Sequence, residues 1–461
     1  MADKRPDGFL QRKIYRFHYR NSAIAHFFTY RVRPAAVLFI ALIPVVWVLQ
    51  PQATSGPLFQ IRAGITVLLI ISLIWTVMRK ARVKVLRRLP RVATAGEPVS
   101  YQVELHNLGR KKLSGVKLLE LPADTRPSYQ LFTHSREPGE EKRNAFDRTL
   151  GYYRWEWIQR GLTLFRHTYS SSLPTVAKGT SVSTELSLTP NKRGVIQLTD
   201  MRVCLPDPLG IFQRCRRTEA SLDKLIILPR RYRLPDYHIP GNARFQLGGE
   251  AIAGVTGQSG DFTSVRDYAP GDPLRHIHWK SWARTGKAIV KEYEDTSFPR
   301  YGLLLDTSVP AEDADLFEEA VSVAASFVAT VDTHESLLDC MFIGDTAHTF
   351  NATGGAPHIE SILEILAGVH AEPDASFDTL QQNILRHQDA LTACICIFTG
   401  WDEQRRDMVA KLQSAGLPLK VFSICRDLDS AHTTHAMFPA PVAVSWLRYK
   451  EVAEDLHLKV S

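Results

Sequence analysis

The residues best suited to chemistry lie between Gly260 and Glu292, where acidic, basic and aromatic side chains alternate with turn residues. Side chains of the types that serve as general acids, general bases and electrostatic stabilisers are close together there: Asp272, Arg275, His278 and Lys280. One interpretation is an enzyme active site, and another is a site for phosphate or nucleic acid. The mixture of opposite charges beside Trp279 favours a partly buried ion-pair network. A surface that binds a partner or ligand is the remaining alternative.

The elements around this cluster are short. Pro270-Gly271-Asp272 predicts a tight turn, because proline fixes φ and glycine tolerates positive φ. Residues 288–294 predict a strand, since Ile289 and Val290 are β-branched.

The order of residues in this segment resembles the signature of the domain-of-unknown-function 58 (DUF58) family. The matching groups are Gly260-Asp261-Phe262, Arg266-Asp267-Tyr268, Pro270-Gly271-Asp272, Arg275, Ile277-His278-Trp279-Lys280, Ala283-Arg284-Thr285-Gly286 and Lys291-Glu292, with Arg193-Gly194-Val195 and Asp207-Pro208-Leu209-Gly210-Ile211-Phe212 upstream. The resemblance implies a membrane-anchored protein with a von Willebrand A-like domain and a MoxR-type AAA+ ATPase as partner. It implies no known reaction. The candidate interaction residues are Arg266, Asp267, Tyr268, Gly271, Asp272, Arg275, Trp279, Lys280 and Arg284.

Charge is distributed unevenly along the chain. The net charge is +8, but residues 1–92 hold 16 Lys and Arg against two acids, so the remaining residues carry 40 basic and 46 acidic side chains. A nucleic-acid-binding domain would carry the positive charge itself. The distribution therefore argues against nucleic acid and favours a membrane surface as partner.

Two apolar runs predict a transmembrane hairpin within residues 34–80, at about 34–50 and 63–78. Basic residues precede the first run and follow the second, whereas the linker between the runs carries Arg62 alone. The positive-inside rule then predicts a two-pass protein of the bacterial inner membrane with both termini in the cytoplasm. The basic segment 1–33 is either an amphipathic helix on the bilayer, with Leu10, Ile14, Phe17, Ile24 and Phe27 on its apolar face, or a plain cytoplasmic tail.

The remaining patterns predict two further domains. Alternating apolar residues over 83–230 indicate an antiparallel β-sandwich, with Tyr153, Trp155 and Trp157 on one face of a hairpin. Residues 231–298 form a linker and the signature segment. Apolar strands alternating with helices over 299–461 predict an α/β doubly wound domain, which the resemblance makes von Willebrand A-like.

A degenerate metal site is expected where strands of that domain end. Asp306, Ser308 and Asp402 resemble part of the von Willebrand A magnesium site, whose ligands are hard oxygens. Pro310 stands where a ligating serine belongs, and Ser376 and Thr379 are only candidates for the threonine. Weak Mg²⁺ binding or none is expected, and no other cofactor. Alternatively, Asp306 and Ser308 cap the following helix.

No familiar catalytic motif is present in the sequence, which lacks a phosphate-binding Gly-Lys-Ser/Thr loop, HExxH and GxSxG. The cysteines form no CxxC pair; Cys394 and Cys396 are expected to be buried thiols, and the usage is typical of a reducing compartment. The sequence therefore predicts a non-enzymatic interaction or scaffold protein with a protein partner. The alternative is an enzyme of cell-envelope metabolism that uses Asp272, Arg275, His278 and Lys280. The sequence leaves self-association open.

Overall fold

The computed structural model describes residues 9–49, 57–235, 261–270, 272, 274–294, 300–310, 313–330, 337–343, 347–352, 356–372, 377–387, 391–440 and 442–460. Two compact units make up the chain. The first is Met1–Arg231 with Leu363–Val369, and the second is Tyr232–Ile362 with His370–Ser461. Gly271, Ser376 and most of the linkers at 50–62 and 231–258 lie outside the described residues.

The first unit begins with three helices: α1 (Phe9–Arg31), α2 (Pro34–Leu49) and α3 (Pro57–Met78). Among the described residues, the segment Phe59–Met78 is long and apolar enough to cross a membrane, and Pro34–Val45 is a shorter apolar helix. Helices α2 and α3 pack against each other. The structure thus supports a possible membrane helix at α3, while the two-pass arrangement remains a prediction.

Helix α1 has two different faces. One face packs on protein, where His18 stacks on Trp155 at 5.6 Å between ring centroids and Tyr30 is buried. The other face carries four of the five predicted apolar positions in exposed form: Leu10, Phe17, Ile24 and Phe27. The N-terminal segment is therefore a docked helix with an uncovered apolar face.

Eleven strands and three α-helices follow in the first unit. They are β1 (Val83–Arg88), β2 (Val92–Thr94), β3 (Val99–Asn107), β4 (Lys117–Leu121), α4 (Tyr129–His134), α5 (Ala145–Leu150), α6 (Tyr152–Leu162), β5 (Thr168–Tyr169), β6 (Ser181–Leu188), β7 (Gly194–Leu198), β8 (Asp200–Pro206), β9 (Gln213–Arg217), β10 (Glu219–Ala220) and β11 (Asp223–Leu228).

These strands form three sheets, with the orders β10-β1-β3-β6, β2-β11-β7 and β5-β4-β8-β9. One hydrophobic core receives side chains from all three, including Val103, Leu118 and Ile227. Most ladders are antiparallel, as predicted, but β1–β10 and β2–β11 are parallel.

The aromatic segment after Gly151 is a helix, so the predicted hairpin there was wrong. Trp155 and Ile158 are three residues apart and both are buried, which is the spacing of one helix face. Gly151, with φ 61°, supplies the left-handed turn between α5 and α6. Alternation of aromatic residues over so few positions is compatible both with the two-residue period of a strand and with the 3.6-residue period of a helix.

Cys204 and Cys215 are directly opposite each other on β8 and β9 and form a disulfide. Disulfides persist mainly in oxidising compartments, so this pair does not agree with the reducing environment inferred from the sequence. Cys394 and Cys396 are buried free thiols, as predicted.

The second unit contains β12 (Asp261–Asp267), α7 (Trp279–Thr285), β13 (Ile289–Glu294), β14 (Arg300–Leu305), α8 (Ala314–Thr330), β15 (Leu337–Ile343), β16 (Ala347–Ala352), α9 (Ala356–Gly368), α10 (Phe377–His387), β17 (Ala393–Thr399), α11 (Glu403–Ser414), β18 (Leu419–Cys425), α12 (Leu428–Met437), β19 (Val444–Arg448) and α13 (Val452–Val460). Part of α9 is grouped with the first unit.

Six of these strands form one sheet in the order β16-β15-β14-β17-β18-β19. All neighbours are parallel except β15 and β16. Helices cover both faces: Phe327 of α8 contacts Phe422, while Met408 of α11 shares a core with Cys396 and Phe398. The chain progresses outward in one direction from β14 and in the other from β17. The gap between their carboxyl ends is therefore the switch point at which such sheets bind ligands.

Candidate functional site

The signature segment forms a small hairpin with a helix inside its loop. Strands β12 and β13 pair antiparallel, with Arg266 opposite Val290 and Asp267 opposite Ile289. The amide of Tyr268 donates to the carbonyl of Ala288 at 2.9 Å and extends the ladder by one step. The loop between the strands contains the predicted turn, a short 3₁₀ helix at Leu274–His276, and α7.

The turn is closed by an ion pair between Arg266 and Asp272. Both terminal nitrogens of Arg266 donate to the carboxylate, each at 2.7 Å. The amide of Ala269 donates to the same carboxylate at 2.9 Å. Arg266 and this amide lower the pKa of Asp272, because both favour its ionised form. The carboxylate of Asp272 therefore stabilises the turn.

The other charged residues of the signature are mostly exposed. Arg275, Lys280 and Arg284 are all at the surface, and within the described residues no ion pair includes Arg284. Among the described residues of this segment, the ion pair shown joins Arg266 and Asp272, and the wider, partly buried network remains a prediction. Lys280 and Arg284 are four residues apart on α7, so like charges share a helix face and repel each other.

Two tryptophans form the most distinctive apolar feature of this segment. Trp279 and Trp282 stack with ring centroids 5.2 Å apart and planes 19° from parallel. Their exposed fractions are 62% and 37%. Trp279 was a predicted site residue, whereas Trp282 was missed, although the three-residue spacing on a helix was a usable signal. We call Trp279, Trp282, Arg275, Lys280 and Arg284 the aromatic–basic patch.

The second candidate site lies at the carboxyl ends of β14 and β17. Asp306 follows β14 directly and is completely buried. Asp402 is the N-cap of α11 and accepts from the amide of Arg405 at 2.9 Å. The Arg405 side chain then reaches Asp306 with two donors, at 2.9 and 2.6 Å, and also pairs with Asp402. It further donates to the carbonyl of Ser308 at 3.2 Å.

All three predicted metal-site residues thus meet, but around a guanidinium. Burial would lower the pKa of Arg405, yet Asp306 and Asp402 outweigh burial and raise it. Nowhere in the described ranges do three or more His, Cys, Asp or Glu side chains form a group able to hold a metal ion. The Ser308 amide donates to the side chain of Asp306 at 3.0 Å, so Asp306 closes a local turn. Helix α8 begins only at Ala314, so this hydrogen bond does not cap it as the alternative prediction proposed.

Comparison with known proteins bears on the signature segment. Residues 264–422 match the family model described as protein of unknown function DUF58. The chain is also 30% identical over 201 residues to the uncharacterized protein YeaD of Bacillus subtilis (strain 168), an alignment that covers 43% of this chain and 48% of YeaD. The DUF58 resemblance is therefore confirmed for residues 264–422. The alignment with YeaD covers about half the length of that relative.

Similarity to solved structures is weak. A red sea bream transglutaminase matches 31% of this chain and 14% of its own at 16% identity, with a TM-score of 0.17. The CARDB domain of a Pyrococcus furiosus protein matches 32% of this chain and 97% of its own at 11% identity, also with a TM-score of 0.17. Neither likeness assigns a fold or an activity.

Proposed function

We propose that this chain is a membrane-anchored, non-enzymatic interaction protein whose cytoplasmic domains engage a protein partner. The partner implied by the family resemblance is a MoxR-type AAA+ ATPase. The observation that carries the proposal is the aromatic–basic patch on α7 and the 3₁₀ helix before it. Exposed tryptophan is an uncommon surface residue with a large area to bury, and tryptophan and arginine are enriched at the energetic centres of protein interfaces.

The stacked tryptophans suit a docking surface. Because Trp279 and Trp282 already hold each other in place, a partner would immobilise little additional side-chain freedom on binding them. Leu274 and Val265 add exposed apolar area within the same hairpin. A rigid aromatic centre with apolar neighbours is typical of an interface core.

The charges around the tryptophans indicate the chemistry of the partner. Arg275, Lys280 and Arg284 are exposed, whereas the carboxylate of Asp272 is neutralised by Arg266. Among the acids of this segment whose burial the structure describes, Asp267 is exposed. The patch therefore has a positive excess, and a partner face rich in Asp and Glu would complement it. The acidic balance of residues 93–461 as a whole keeps nucleic acid a poor candidate.

The enzyme alternative finds less support in this geometry. Asp272 is occupied by Arg266, and Nδ1 of His278 hydrogen-bonds to Oγ of Ser281 at 2.5 Å. Arg275 and Lys280 are exposed side chains that belong to the patch. An interaction surface requires only that Arg275 and Lys280 are exposed, as they are in the structure.

We further infer that the α/β domain is von Willebrand A-like. Numbered from β14, its strand order is 3-2-1-4-5-6, with one antiparallel edge strand, and Asp306 and Ser308 follow the first strand. Helices α2 and α3 would form the two-pass anchor, with the exposed apolar face of α1 lying on the inner leaflet. In this arrangement exposed basic residues of α1, such as Lys13, Arg16 and Arg20, contact anionic lipid.

A quantitative pull-down tests the proposal. Full-length chain extracted from membranes in detergent should co-purify a MoxR-type ATPase, and Trp279→Ala/Trp282→Ala should reduce its yield at least about tenfold, as loss of an interface hot spot does. Phe146→Ala is the matched control, since Phe146 is an aromatic side chain 71% exposed outside the patch. Arg284→Ala should weaken capture without lowering the melting temperature. Equal yields of the ATPase from the unsubstituted protein and from the double tryptophan variant would contradict the proposal.

A further inference from the structure

The buried carboxylate of Asp306 requires a positive partner. Its side chain has no solvent-accessible surface, and burial raises its pKa even though Arg405 opposes the shift. An ionised carboxyl in such a position is costly unless a cation pairs with it. In a metal-binding version of this sheet, a divalent ion at the switch point would supply that charge.

We infer that Arg405 is the built-in cation of this site and replaces a divalent metal. Its guanidinium contacts two of the groups that were expected to surround Mg²⁺, the carboxylates of Asp306 and Asp402. At Ser308 it contacts the backbone carbonyl, whereas the side-chain oxygen was the expected ligand. Its side chain is 11% exposed, so it fills the space between these oxygens. The inference rests on this geometry and is independent of the aromatic–basic patch.

The local structure explains how an arginine can take this position. Asp402 caps α11, and Arg405 lies on the first turn, so its side chain extends back past the cap towards β14. The guanidinium also offers several donors in one plane, which is why it can pair with two carboxylates at once. Charge balance is reasonable, since two carboxylates face one guanidinium and the amino terminus of α11 adds partial positive charge.

Two buried hydroxyls show that further oxygen ligands are close by. Oγ1 of Thr307 and Oγ1 of Thr399 are both buried without a hydrogen-bond partner in the described part of the chain. Leu305 and Ile397 are paired in the β14–β17 register, so Thr307 and Thr399 follow at the same edge. Removing the guanidinium would therefore leave carboxylate and hydroxyl oxygens, the ligands that Mg²⁺ and Ca²⁺ prefer.

The test compares thermal unfolding of the full chain in detergent with and without divalent cations. For the unsubstituted protein, neither chelator nor millimolar Mg²⁺ or Ca²⁺ should change the melting temperature, and calorimetry should detect no Mg²⁺ binding. Arg405→Met should lower the melting temperature by about 5–10 °C, as expected for a stranded buried charge. Mg²⁺ or Ca²⁺ should then recover at least half of that loss.

Arg406→Met is the matched control, because Arg406 is the next residue on α11 and pairs with Asp407 and Glu403 at the surface. It should change little and show no response to cations. Asp306→Asn added to Arg405→Met should abolish the recovery. If Arg405→Met does not fold, Arg405→Gln replaces it, because it also removes the charge, and the same cation response is expected. Cation binding by the unsubstituted protein, or no cation response in either Arg405 variant, would overturn the inference.

Discussion

Arg87 on β1 and Glu120 on β4 form a two-pronged ion pair inside the first unit. Nε of Arg87 donates to Oε2 of Glu120 at 2.9 Å, and Nη2 donates to Oε1 at 2.8 Å. Neither side chain has accessible surface. The Tyr101 hydroxyl donates to the same carboxylate at 3.2 Å, and Arg87 also reaches Asp223. This cluster connects all three sheets around their common core.

Removing one member of this cluster should destabilise the first unit strongly. Arg87→Ala leaves the buried carboxyl of Glu120 without its cation, and we expect a loss of roughly 3–5 kcal/mol of unfolding free energy. The measurement is denaturant unfolding of the full chain in detergent. Arg160→Ala is the control, since its pair with Glu156 is exposed and should be worth less than about 0.5 kcal/mol. Similar losses in both variants would contradict this assignment.

The first unit should also lose stability as the pH falls below neutrality. His26 and His167 pack on the ring of Tyr30, with centroids 4.5 and 5.1 Å away. Burial, followed by nearby arginines, lowers the pKa of both histidines. The unfolded chain then takes up protons near pH 6.5 before the folded chain does, so stability present above about 6.5 is lost below it.

The experiment for this pH effect is thermal unfolding at neutral pH and at about pH 5.5. His26→Gln/His167→Gln should reduce the pH-dependent part of the change. His106→Gln, a partly exposed histidine on β3, should leave it intact. A melting temperature that rises on acidification would contradict the prediction.

Much of the second unit could be predicted from its sequence because its buried strands are short, apolar and separated by helices. β14, β15 and β18 are such strands, and they alternate with helices as predicted for residues 299–461. The edge strand β16, whose residues Ala347–Ala352 include His348 and Asn351, lacks an apolar run and was not predicted. Edge strands carry a weaker pattern, since one side is unpaired.

The candidate site was predicted in part. Asp306, Ser308 and Asp402 come together as expected from their positions at strand ends. The role of Arg405 could not be read from the sequence, because its contact with Asp306 joins residues 99 positions apart. The exposure of Arg284 could not be predicted either, because the order of charges along a chain does not determine which side chains form ion pairs.

Membrane topology provides another prediction. Reporter fusions at Met1 and Ser461 should both register cytoplasm, and a fusion at Ser55 should register the outside, because basic residues flank the apolar helices α2 and α3. Protease sensitivity of the second unit from outside the cell would exclude this topology.

The central claim is that the aromatic–basic patch is the surface that contacts a protein partner. Its most direct test places a photo-crosslinking amino acid at Trp279 in the membrane-bound protein, with the same group at Phe146 as the reference position. The account predicts a discrete adduct from position 279, containing a MoxR-type ATPase, that is absent from position 146. Adducts of the same composition from both positions, or none from position 279, would contradict it.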